Sequence, residues 1–87
     1  MKVTIRAFGP IMELIGRKQE VDLPPDSTLE DLAQRLENDA KHSQGKAPEI
    51  LNSNLTVLVN GMNAETLRSR VLKEGDHVDI LSPFVGG

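Results

Sequence analysis

The sequence predicts an α+β fold, a mixed sheet of four to five strands packed on one main helix. Three observations predict it. Short stretches of alternating apolar residues lie toward both ends of the chain, one amphipathic stretch at helical spacing lies between them, and turn residues stand at nearly every junction. With 87 residues the chain has interior for one core, hence one domain.

Lys2 to Phe8 reads as the first strand: Val3, Ile5 and Ala7 fall on one side while Lys2, Thr4 and Arg6 alternate on the other. Gly9-Pro10 breaks it. The apolar stretch Ile11 to Gly16 is too short for an independent element, so Met12 and Ile15 are expected to tuck beneath the loop as a satellite of the core. A second strand follows over Gln19 to Leu23, with Val21 and Leu23 inward, and Pro24-Pro25-Asp26 ends it.

Ser27-x-x-Glu30 has the spacing of a capping box, in which each side chain satisfies a free amide of the first helical turn. The helix it opens is expected from Thr28 to Ala40. Leu29, Leu32, Ala33, Leu36 and Ala40 form its inward stripe, with Glu30, Asp31, Arg35, Glu37 and Asp39 outward. Asp26 interacts favourably with the helix dipole. Lys41 to Asn54 is polar, holds Gly45 and Pro48, and reads as a long connection with one turn near Glu49 to Leu51.

Leu55 to Val59 is the third strand, closed by the turn signal Asn60-Gly61. Ala64 to Leu72 accommodates a short strand and a helical turn around Leu67, with Val71-Leu72 anchoring it to the core. Lys73-Glu74-Gly75-Asp76 is a tight turn, and His77 to Leu81 is the last strand, with Val78 and Ile80 inward. Strand, strand, helix, strand, short element, strand is the order of a β-grasp domain. Residues 1–81 then form the folded body, and 82–87 a flexible tail.

Composition excludes several classes of function. The chain has no cysteine, so it has no disulfide framework, thiolate metal site or cysteine nucleophile, and a reducing, cytoplasmic setting is expected. No apolar stretch is long enough for a signal peptide or a membrane span. Net charge is −3 with the signs interleaved, and the only aromatic residues are Phe8 and Phe84, which argues against nucleic acid and for a partner with a basic cleft. His42 and His77 lack companions at ligand spacing, so no metal site is expected. Glu74 and Asp76 read as turn formers, and Gly9-Pro10 and Gly16 lack a phosphate-loop pattern.

The chemistry-bearing feature is Pro83-Phe84-Val85-Gly86-Gly87. Two glycines at a chain's end arise by chance about once in 200 chains. A tail without β-carbons can thread a narrow channel and deliver its carboxylate to a buried site. A free carboxylate is a poor electrophile and has to be activated, most simply as a mixed anhydride with a nucleotide phosphate, after which a sulfur nucleophile can take the carbonyl.

Val3-Thr4-Ile5-Arg6-Ala7-Phe8, Leu14-Ile15-Gly16-Arg17-Lys18, Ser27-Thr28-Leu29-Glu30-Asp31-Leu32, Val59-Asn60-Gly61, Leu72 to Val78 and the Gly-Gly end occur in an order and spacing that resembles the MoaD/ThiS family of ubiquitin-like sulfur carriers. The ending looks more like MoaD, the small subunit of molybdopterin synthase, than the thiamine-pathway carrier. The resemblance implies that Gly87 is adenylated by an activating adenylyltransferase related to the ubiquitin activators, which uses ATP, and is converted by a sulfur donor to a thiocarboxylate. It further implies that Gly86-Gly87 enters a MoaE-like catalytic subunit and gives sulfur to a pterin precursor. No cofactor is bound by the chain itself, and catalysis falls to the partner. An apolar docking patch on the sheet is implied as well, to which Pro83, Phe84, Val85 and Leu81 contribute. Ubiquitin-like modifiers that join the same carboxylate to lysine share this fold and tail, as do thiamine-pathway and tRNA-thiolation carriers, and a plain β-grasp binding module with an incidental tail is the third class. The 41–54 connection has no counterpart in the resemblance.

Overall fold

Val3, Ile5 and Ala7 are buried along β1 (Lys2–Phe8), whereas Lys2, Arg6 and Phe8 are exposed, so the period-two pattern is realised as a strand with one inner face. The computed structural model describes residues 1–45, 55–63 and 70–82. β1 runs antiparallel to β2 (Lys18–Asp22), with Val3 opposite Val21 and Arg6 opposite Lys18. β2 starts and ends one residue before the span read from sequence. Leu23 is buried beyond its end, its N–H donating to the Met1 carbonyl at 2.8 Å.

Between these strands the apolar stretch closes into one helical turn, α1 (Met12–Ile15), stopped by Gly16 at φ 84°, whose N–H returns to the Met12 carbonyl. Ile15 is buried as expected. Met12 is only partly buried, and Ile11 takes the second deep position.

The main helix α2 (Leu29–Gln44) opens on a capping box, but one residue later than expected: Thr28 Oγ1 accepts from the Asp31 N–H at 3.2 Å, and Asp31 Oδ2 accepts from the Thr28 N–H at 2.9 Å. Ser27 is committed elsewhere. It is buried, its hydroxyl donates to the Pro24 carbonyl at 2.7 Å, and its own carbonyl accepts from the Leu72 N–H at 2.8 Å. Asp26 takes a positive φ of 67° in the turn before it, so its local role is that of a turn residue. At the other end Lys41, His42 and Ser43 contain no breaker, and the helix continues past Ala40 until Gly45 adopts a left-handed conformation and its N–H bonds the Lys41 carbonyl at 2.9 Å. The expected loop from Lys41 is therefore helix for its first turn. All five residues of the predicted stripe are buried.

β3 (Thr56–Val59) turns through Asn60-Gly61 into β4 (Met62–Asn63), and both turn residues have positive φ, 52° and 84°, as a two-residue hairpin requires. β5 (His77–Leu81) buries Val78 and Ile80. Leu72 is buried and anchors the approach to it, whereas Val71 is exposed and forms a single bridge with Thr28. The turn Lys73 to Asp76 forms as predicted, but Asp76 does more than turn the chain. Its buried carboxylate accepts from the Lys73 N–H at 2.8 Å and from Asn60 Nδ2 at 2.9 Å, while Asn60 Oδ1 accepts from the His77 N–H at 2.9 Å. The turn predicted near Glu49 to Leu51 and the short element around Leu67 lie outside the described residues.

The sheet order is β2-β1-β5-β3-β4, with β1 and β5 parallel and the other pairs antiparallel. α2 covers the inner face, where its stripe meets Val3, Ile5, Val57, Val59, Val78 and Ile80 in one core. This is the β-grasp arrangement. No helix of the described residues is long and apolar enough to cross a membrane.

Candidate functional site at the end of the central strand

The strand order gives the last strand an unusual place. β5 inserts between β1 and β3, so it occupies the middle of the sheet and delivers the following residues from the centre of one sheet end. Because β1 and β5 are parallel, Phe8 and Leu81 are register partners at that end, and the first residue of β3, Thr56, lies opposite Leu81 on the other side. The exit is framed by Phe8 and the Gly9–Ile11 loop, Thr56 and Ser82.

Ser82 is hydrogen-bonded to the body. Its N–H donates to the Phe8 carbonyl at 2.9 Å, its hydroxyl donates to the same carbonyl at 3.0 Å, and its Oγ accepts from the Ile11 N–H at 3.0 Å. The hydrogen-bonded body thus reaches residue 82, one beyond the 1–81 span read from the sequence.

The outer face of the sheet carries no helix among the described residues. Register places Lys2, Thr4, Arg6 and Phe8 of β1 on it, with His77, Asp79 and Leu81 of β5 and Thr56 and Leu58 of β3. Phe8 is 44% exposed, and Leu58 and Leu81 are half-buried. Leu58 lies one row in from the exit, opposite Asp79, and Phe8 and Leu81 pair at the exit itself as a small apolar strip. Arg6 borders it: Nε donates to Asp79 Oδ1 at 2.8 Å and Nη2 to Oδ2 at 3.0 Å, and its guanidinium carbon lies 5.7 Å from the centre of the Phe8 ring. The hydrogen bond with Asp79, and then the aspartate's charge, raise the Arg6 pKa above its already high ordinary value, so Arg6 is a permanent cation at the strip's edge.

Of the residues singled out from the sequence, Leu81 lies on this outer face. Pro83, Phe84, Val85, Gly86 and Gly87 lie outside the described residues. His42 and His77 are both exposed, and no group of three or more His, Asp or Glu suited to a metal ion occurs among the described residues. An open depression of about 380 Å³ between α1 and α2, lined by Met12, Glu13, Leu36, Asp39 and Ser43 among others, contains none of the predicted site residues.

Sequence reasoning missed Phe8, Leu58, Gly9 and Ser82. For Phe8 the signal was present: it follows Lys2, Thr4 and Arg6 in the outward register, an aromatic residue where polar ones belong. Leu58 alternates in the same way between the inward Val57 and Val59. Nothing local marks Gly9 and Ser82 as neighbours, because their proximity comes from the parallel pairing of strands more than 70 residues apart.

At the exit the described residues bring together the paired Phe8 and Leu81, the Arg6–Asp79 ion pair and the hydrogen-bonded Ser82. Comparison with known proteins bears on the fold first. Small archaeal modifier protein 1 from Haloferax volcanii is 24% identical, with 100% of both chains covered and a TM-score of 0.75. Urm1 from Trypanosoma brucei is 23% identical over 99% of this chain and 95% of its own, with a TM-score of 0.70. Subunit 1 of the molybdopterin-converting factor from Helicobacter pylori, solved in complex with subunit 2, is 23% identical with full coverage of both chains and a TM-score of 0.63. At these identities the three establish the fold. Among curated proteins no match was found. The model of the ThiS family matches residues 5–87, from the middle of β1 through the final glycine, and the chain therefore belongs to the ThiS family of ubiquitin-like sulfur carriers.

Proposed function

We propose that this chain is a sulfur carrier of the MoaD type, whose Gly87 carboxylate is adenylated and then thiocarboxylated to donate sulfur in molybdopterin biosynthesis. The observation that carries the reading is the position of β5: the central strand of the sheet ends beside an exposed apolar strip and leads into Pro83-Phe84-Val85-Gly86-Gly87, and the family match runs through that last glycine. A carrier needs this division of labour, with a stable body for recognition and a slim end for reaction.

The chemistry balances without any catalytic group on this chain. A carboxylate oxygen of Gly87 attacks the α-phosphorus of ATP held by an activating adenylyltransferase, and pyrophosphate leaves. A sulfide-level nucleophile from a sulfur donor then attacks the acyl carbon, and AMP leaves with the carboxylate oxygen. Inside a MoaE-like catalytic subunit the thiocarboxylate sulfur attacks the pterin precursor, and water then cleaves the acyl–sulfur bond, which leaves the sulfur on the pterin and returns Gly87 to its carboxylate. On the body the proposed docking surface takes its apolar part from Phe8, Leu81 and, one row in, Leu58, and Pro83, Phe84 and Val85 are proposed as the tail residues that engage the same partner. The complex of subunits 1 and 2 of the Helicobacter pylori factor supports a second subunit as the partner.

Incubation of the full chain with the cognate MoaE-like subunit, the pterin precursor and a chemically prepared Gly87 thiocarboxylate tests the pathway. Dithiolene product is expected. Failure to form it, alongside Gly-Gly remnants on target lysines in cell digests, would favour the modifier reading instead.

A further inference from the structure

We infer that Ser82 and Gly9 form a clasp that sets the direction in which the chain's end leaves the body, making Ser82 a positioning residue for delivery of the Gly87 carboxylate; the inference rests on the carrier reading above. Continuing the β1–β5 ladder requires only the Ser82 N–H to Phe8 carbonyl bond. The serine hydroxyl adds two more, donating to the Phe8 carbonyl and accepting from the Ile11 N–H, both at 3.0 Å. Together they tie the side chain to both ends of the turn that follows β1, and the backbone of Ser82 is held with it. Pro83 restricts the same residue from the other side, because the residue before a proline is confined to extended backbone.

Gly9 completes the clasp. It has a φ of +84°, and a β-carbon there would overlap the Ser82 carbonyl oxygen and lie 2.6 Å from Ser82 Oγ. Gly16, Gly45, Gly61 and Gly75 also have positive φ, yet a β-carbon at any of them would meet nothing within 4 Å. Among the described glycines, close approach demands the absence of a side chain only at Gly9, beside the exit. A five-residue end beyond Ser82 reaches at most about 17 Å, so a swing of about 30° at its base displaces the carboxylate by about 9 Å. Holding the base raises the fraction of molecules whose end points into a partner's channel, and apparent affinity scales with that fraction.

The test is ATP–pyrophosphate exchange by the activating adenylyltransferase from the same organism, with the full chain as the varied substrate. Ser82→Ala is expected to raise KM about five- to tenfold with kcat unchanged, and Ser82→Thr, which restores the hydroxyl, to return KM to within about twofold of the parent. A loss of packing alone would not produce that split with hydroxyl rescue. Equal KM for the parent and Ser82→Ala would overturn the clasp. If the parent chain itself supports no exchange, the carrier reading fails. The clasp is then decided by a spin label on Gly87→Cys, a unique thiol in a chain without cysteine. A confined set of broadened body amides that spreads in the Ser82→Ala background supports the clasp, and an unchanged set refutes it.

Discussion

Asp76 shows what a single buried carboxylate does in a small domain. It joins the turn before β5 to the β3–β4 hairpin through Lys73 N–H and Asn60 Nδ2, and its own carbonyl accepts from the Thr4 N–H of β1 at 2.9 Å. Removing the carboxylate deletes two part-buried hydrogen bonds to a charged acceptor, a loss of about 1–3 kcal/mol. Asp76→Ala is therefore expected to lower stability by about that amount in urea denaturation, while Glu74→Ala, which gives up a solvent-exposed hydrogen bond from the Lys2 N–H at 3.1 Å that water can replace, changes it by about 0.5 kcal/mol. The two capping candidates give a sharper contrast. Thr28→Ala removes the side chain that receives the Asp31 amide and is expected to cost about 1 kcal/mol. Had Ser27 been the cap, Thr28 would have been dispensable, and a Thr28→Ala variant as stable as the parent would say so.

At the scale of elements, period and turn chemistry made most of the fold legible. The stripe of α2 and the inward residues of β1, β3 and β5 follow from spacing alone, and Asn60-Gly61 specified its hairpin. What stayed hidden depended on partners distant in sequence. Ser27 and Thr28 both qualify as caps, and the choice is made by Leu72, whose N–H claims the Ser27 carbonyl. The helix end was misplaced because Gly45 competes with no local breaker before it, and polar composition resembles a loop as much as an exposed helical turn. Leu36 lies at the centre of the stripe and is almost fully buried, so Leu36→Ala is expected to destabilise by about 2–5 kcal/mol, measured by denaturant titration. The proposed chemistry rests on Gly86-Gly87 as read from the sequence, whereas the surroundings of the exit were not legible there. Phe8 could have been read from its register. Gly9 and Ser82 could not, since they meet only once β1 and β5 pair.

For the whole molecule, the consequence of placing β5 at the centre is that stability and delivery are separable. The core residues of the sheet and α2 hold the body, and the proposed carrier role assigns partner contact to the outer face and the residues after Ser82. Phe8→Ala is expected to weaken binding to the partner subunit at least about tenfold by calorimetry, since exposed aromatic residues are common anchors, and to change the melting temperature by only a few degrees. Deleting Gly86-Gly87 should leave the melting temperature unchanged, because the end of a chain contributes little to stability. The most direct measurement is the intact mass of the full chain after incubation with its activating enzyme, ATP and a sulfur donor. Replacement of one terminal oxygen by sulfur predicts a gain of about 16 Da confined to Gly87 and absent from the deletion variant. An unchanged mass under conditions in which the enzyme converts another carrier, or a gain that persists without Gly86-Gly87, would contradict the assignment of Gly87 as the reacting end.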